Sequence, residues 1–149
     1  MSALAVPALI LCTTSAQARF YYEDGTTLVA LQNIDTSLGG PGWQRFGDQG
    51  LGSREWVTCS FYRGNEKNPQ GIITQGTELR ISGANNESNQ SIRWGWVKLW
   101  LTNSEFVDSL VCQHEINRSR SFPYIVYNLP APLYLDIALS SFFGLVRQQ

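Results

Sequence analysis

Between Trp94 and Trp100 the chain carries three indoles and an ammonium, in the segment IRWGWVKLWL from Ile92 to Leu101. Side chains on a strand alternate between its two faces. An extended segment therefore puts Ile92, Trp94, Trp96, Lys98 and Trp100 on one face. Arg93, Gly95, Val97, Leu99 and Leu101 take the other. Same-face neighbours stand about 7 Å apart, two strand rises. If Val97, Leu99 and Leu101 point into the core, the indoles form an outward row. An indole joins a large flat contact area to one N–H donor, which suits stacking on sugar rings or gripping an apolar partner. Trp56 and Tyr62 extend the row if their strand is its neighbour. The competing reading buries this strand on both faces and puts the tryptophans in the core. Exposure of Trp94, Trp96 and Trp100 separates the two. Gly95, opposite the indoles, marks a bulge or a close backbone approach.

Other residues offer catalytic chemistry with less support. His114 has Asp108, Glu115 and several serines nearby in sequence, the ingredients of a Ser–His–Asp arrangement. No G-x-S-x-G elbow accompanies it. Glu55, Glu105, Glu115 and Asp136 fall in or near strand-like segments, where a glycosidase mounts its two carboxylates. Nothing in their spacing fixes a pair, so solvated surface charge is the simpler reading. No catalytic residue is assigned. His114 is the only histidine, and with two cysteines it leaves a tetrahedral zinc site one ligand short. No metal or other cofactor is expected.

The glycine-rich stretch Ser37–Ser53 carries Trp43, Arg45 and Phe46 but lacks the Lys-Ser/Thr ending of a phosphate loop. It reads as a long surface loop in which Trp43 is a further binding candidate. Three N-x-S sequons begin at Asn86, Asn89 and Asn117, in turn-like sequence. In a eukaryotic secretory protein they would place glycans on the surface, and in a bacterial one they carry no meaning.

These side chains need a scaffold, and the rest of the chain reads as short strands. Val, Ile, Thr and aromatic segments alternate with Gly, Asn, Ser and Pro clusters. Strands are expected near Arg19–Glu23, Thr27–Asn33, Glu55–Tyr62, Gly71–Thr74, Glu78–Ser82, Ile92–Leu101, Glu105–Ile116 and Tyr124–Tyr127. Gly83–Ser91 reads as a separator. The C-terminal piece fits two periods. Leu133, Leu135, Ile137 and Leu139 alternate as a strand through Ser140, the preferred reading, with helical spacing better beyond it. Pro132 equally suits the first turn of a helix. The fold class is all-β: an antiparallel β-sandwich or barrel with one inter-strand disulfide, a short C-terminal helix being the option left open.

Export supplies the disulfide. Residues 1–18 hold no charge, an apolar run from Ala3 to Cys12, and an A-x-A triplet ending at Ala18. That is the pattern of a cleaved secretory signal, although basic side chains are missing before the apolar run. Residues 19–149 are then one exported domain, secreted or periplasmic, without a membrane span. Cys12 leaves with the signal, and Cys59 and Cys112 remain as a pair in an oxidising compartment. Both sit on apolar strand faces, so a bond through the core of a sandwich is expected. The 11 basic and 12 acidic residues alternate without blocks of one sign. A nucleic-acid partner needs a basic face, and a polybasic membrane patch is equally absent.

The sequence thus points to a secreted, non-enzymatic binding module. Its site is Trp94, Trp96, Lys98 and Trp100, joined by Trp56 and Trp43. A carbohydrate ligand is favoured over an extracellular protein. The alternative is a self-associating subunit of an extracellular assembly or adhesive surface, pairing through open strand edges and the Tyr134–Phe143 segment. A membrane-active toxin and a hydrolase rank lower.

Overall fold

The computed structural model describes residues 22, 25–38, 55–89, 94–117 and 125–146. The signal-like segment 1–18, nearly all of the strand expected at Arg19–Glu23, and the loop with Trp43 lie outside the described residues. Among the described residues ten strands and one α-helix follow in chain order: β1 (Thr27–Ala30), β2 (Ile34–Asp35), β3 (Glu55–Arg63), β4 (Glu66–Lys67), β5 (Ile72–Ile73), β6 (Glu78–Asn89), β7 (Trp94–Thr102), β8 (Ser109–Asn117), β9 (Ile125–Asn128), α1 (Pro132–Ser140) and β10 (Phe143–Val146). The chain is mostly β, as expected.

One eight-stranded sheet dominates, in the order β10-β1-β6-β7-β9-β8-β3-β4, with β7 and β8 also paired directly. β2 and β5 form a small second sheet. The large sheet curls on itself. Phe61 of β3 and Phe143 of β10 come from strands far apart in the sheet order, yet their rings meet edge to face at 6.5 Å. The enclosed core takes Leu28, Val57, Phe61, Leu79, Ile81, Val97, Leu99, Leu110 and Phe143, with Leu135, Ala138 and Leu139 of α1. The result is sandwich-like.

β6 explains how one strand serves both layers. Its first residues pair with β1 and the remainder with β7. A bulge between Ile81 and Gly83 shifts the register. The extra residue resets the alternation, so Ile81 and Ala84 both face inward and the strand bends. The stretch expected to be a separator therefore continues the ladder to Asn89, opposite Trp94. Asn86 and Asn89 accordingly lie within a strand rather than in a turn.

The disulfide joins Cys59 and Cys112, whose Cα atoms are 4.0 Å apart. The two are directly opposed neighbours on β3 and β8. The bond is inter-strand as expected, but it fastens adjacent strands of one sheet instead of crossing the core. Both side chains point inward and are buried. The bond closes a 53-residue separation.

The C-terminal segment corrects the preferred reading. Pro132–Ser140 is helical and Phe143–Val146 is a strand, the reverse of the expected order. Burial of Leu135, Ala138 and Leu139, with Leu133 exposed, follows helical spacing. Pro130 and Pro132 cannot donate to a ladder, and Pro132 at the first turn costs the helix no hydrogen bond. Tyr22 Oη donates to Asp136 Oδ1 at 2.5 Å on this helix.

Candidate functional site

β7 lies in the middle of the sheet and divides cleanly. Val97 and Leu99 are fully buried, and Gly95 and Leu101 are buried beside them. On the outer side Trp94 and Trp100 are each 37% exposed, with Trp96 and Lys98 half-buried between them. The sequence-predicted row is thus on the solvent side of the sheet, and the buried-tryptophan reading is excluded for these three indoles.

Glycine at position 95 has a steric cause. A Cβ there would lie 2.6 Å from the Leu129 backbone nitrogen and 3.1 Å from the Glu87 carbonyl oxygen. The chain leaving β9 crosses under β7 at that point. β9 itself fills a gap in the sheet: β7 and β8 pair directly only from Val97–Trp100 opposite Ser109–Cys112. Beyond Cys112, β8 pairs with β9, and Trp94 is bridged to Tyr127. At the fork the Gln113 side chain replaces the ladder, its Nε2 donating to the Gly95 carbonyl at 3.3 Å.

The indoles are not equivalent. The Lys98 Nζ sits 3.9 Å from the centre of the Trp100 ring. With the Asn85 amide turned to satisfy both its atoms, its oxygen accepts from Trp100 Nε1 at 3.1 Å and its nitrogen donates to the Ala84 carbonyl at 3.2 Å. Trp100 is therefore anchored at its ring face and at its N–H.

Register carries the outer face onto neighbouring strands. On β6, Asn85, Glu87 and Asn89 stand opposite Lys98, Trp96 and Trp94. On the other side come Val111 and Gln113 of β8, then Thr58, Ser60 and Tyr62 of β3. Two adjoining hollows open here. One, of about 370 Å³, is lined by Trp96, Lys98, Tyr62, Gly64, Asn65, Val111 and Gln113. The other, of about 180 Å³, is lined by Thr58, Ser60, Tyr62, Lys67, Val111, Gln113 and Glu115. They share Tyr62, Val111 and Gln113.

Two expectations about extension of the row change. The strand of Trp56 and Tyr62 is not the neighbour of β7, because β8 lies between them. Tyr62 still reaches the site as a wall of both hollows. Trp56 enters only as a register position, opposite Glu115 on the outer face. Residues the sequence did not single out for this face are Asn85, Val111, Gln113 and Lys67. Period-two alternation along β8 puts Val111 and Gln113 on one face. Only the strand order shows which face that is.

The enzymatic constellations are not assembled. His114 is on the inner face of β8, its ring edge-on to Tyr134 at 5.6 Å. Asp108 is engaged elsewhere: its Oδ2 accepts from the Gly64 amide at 2.7 Å and its Oδ1 from Ser109 Oγ at 3.1 Å. That ties down the β3–β4 hairpin, where Gly64 adopts a φ of 59°. Glu115 is buried on the outer side of the sheet, Glu105 lines a separate hollow with Arg63 and Phe106, and Asp136 is on α1. Among the described residues no group of three His, Cys, Asp or Glu side chains is placed to hold a metal ion. None of their helices is long and apolar enough to cross a membrane.

No family model matches this chain, and no curated protein or solved structure matches it either.

Proposed function

We propose that this chain is an exported, non-enzymatic carbohydrate-binding module whose ligand lies on the outer face of β7. One observation carries the reading. A central strand spends its outward positions on Trp94, Trp96, Lys98 and Trp100, while smaller aliphatic residues fill the core behind them. Large apolar side chains gathered in solvent mark interaction sites. The surroundings favour sugar over an apolar protein surface. Amides and hydroxyls from Asn85, Gln113, Thr58, Ser60 and Tyr62 fringe the indoles, giving donors and acceptors for hydroxyl groups beside faces that stack on C–H surfaces. The Cys59–Cys112 bond supports folding in an oxidising compartment, secreted or periplasmic.

A glycan array probed with the folded chain and with Trp96→Ala tests this. Retention of a glycan by the native chain and its loss in the variant are expected. An empty array contradicts the reading.

Self-association is a second reading, favoured by the opposite end of the sheet. Among the described residues β10 ends that sheet, and Leu31 beside it and Val146 on it are exposed. An elution volume that falls with rising concentration is its expected signature.

A further inference from the structure

We infer that the ligand runs across the strands from Trp96 to a second subsite, the hollow between β3, β4 and β8, rather than along β7 from Trp94 to Trp100. The inference rests on the carbohydrate reading and specifies its ligand as a neutral chain of at least two sugar rings. Three observations carry it.

The row along β7 is unequal. Trp100 already holds Lys98 against its ring and gives its N–H to Asn85. A ligand stacking there displaces one partner and finds the donor taken. Trp96 instead forms a wall of an open hollow.

That hollow continues into the smaller one through Tyr62, Val111 and Gln113. The smaller hollow is polar in kind: two aliphatic hydroxyls from Thr58 and Ser60, the Tyr62 phenol, the Gln113 amide, the Lys67 ammonium and the Glu115 carboxylate. Glu115 lines this hollow and is only 4% exposed. The lining thus combines one acidic and one basic side chain with neutral hydroxyls and an amide, and no single sign of charge dominates it. Mixed donors and acceptors without net charge match a polyol. The volume of about 180 Å³ admits one sugar ring and no folded segment.

Geometry fixes the minimum length. β8 separates β7 from β3, so Trp96 and the hydroxyls of Thr58 and Ser60 stand two strand spacings apart, about 10 Å. One ring cannot touch both.

Calorimetric titration of the full chain with gluco-, manno-, xylo- and chito-oligosaccharides of one to four rings tests this. The expected result is a steep gain in affinity from one ring to two or three, in at least one series, followed by a plateau. Thr58→Val with Ser60→Ala loses about tenfold at two or more rings, as removal of one or two sugar hydrogen bonds requires. Lys67→Ala, an exposed position that leaves the fold intact, lowers affinity at the same lengths. Trp100→Ala costs less than the hollow variants at two or more rings. The subsite is overturned, and the carbohydrate reading kept, if Trp96→Ala loses binding while the hollow variants bind every length as tightly as the native chain. Absence of heat with all four series overturns both.

Discussion

The two faces of β7 are made from one alternating sequence and do opposite work. The inner face presents Gly95, Val97, Leu99 and Leu101, all buried. The outer face presents the largest side chains of the strand to water. Burying an indole stabilises more than burying a valine. A strand built only for stability would turn its tryptophans inward. The inversion teaches that stability here is delegated to medium-sized aliphatics and the disulfide, which leaves the indoles available for a ligand.

Changes to the inner side should cost stability, and changes to the outer side should cost binding. The largest effect is expected from replacing Cys59 and Cys112 with serine. Loss of a cross-link over this separation removes about 4 kcal/mol in the chain-entropy model, read as a lower urea midpoint. Leu99→Ala should follow at about 3 kcal/mol, since Leu99 is fully buried and leaves a cavity between β6 and β8. Gly95→Ala should cost about 2 kcal/mol, because the new methyl meets the Leu129 backbone and one strand must shift. Trp96→Ala should change stability by less than about 1 kcal/mol, with glycan binding down by more than tenfold. The smallest effect is expected for Lys98→Met, about 0.5 kcal/mol from the lost contact with Trp100. If Trp96→Ala were as destabilising as Leu99→Ala, the division between the faces would fail.

Much of this division was legible in the sequence. Alternation put Trp94, Trp96, Lys98 and Trp100 on one face of β7 and Gly95, Val97, Leu99 and Leu101 on the other, and left open which face is buried. The split was clear because the strand is long and Val97, Leu99 and Leu101 are uniformly apolar, and burial makes theirs the inner side. β6 beyond Ser82 was not legible, for two physical reasons. The bulge resets the period at Gly83, and the segment is polar on both sides, with Asn85, Glu87 and Asn89 on the outer face and Asn86 and Ser88 opposite Val97 and Gly95. Backbone ladders need no apolar side chains, so a polar strand resembles a loop. Helix α1 was ambiguous because its leucines satisfy periods of two and of 3.6, and only the sheet it packs on decides between them. The hollow beside Trp96 was invisible for a third reason. It joins residues of β3, β4, β7 and β8, and strand order is not encoded in local pattern.

Whether the outer face of β7 is a ligand platform is read from the indole N–H resonances of the chain while a neutral oligosaccharide is titrated in. The Trp96 signal should move most and Trp94 less, while Trp100, held by Asn85, should keep nearly its ligand-free position. Indole signals that stay fixed for every oligosaccharide at millimolar concentration would contradict a ligand platform there.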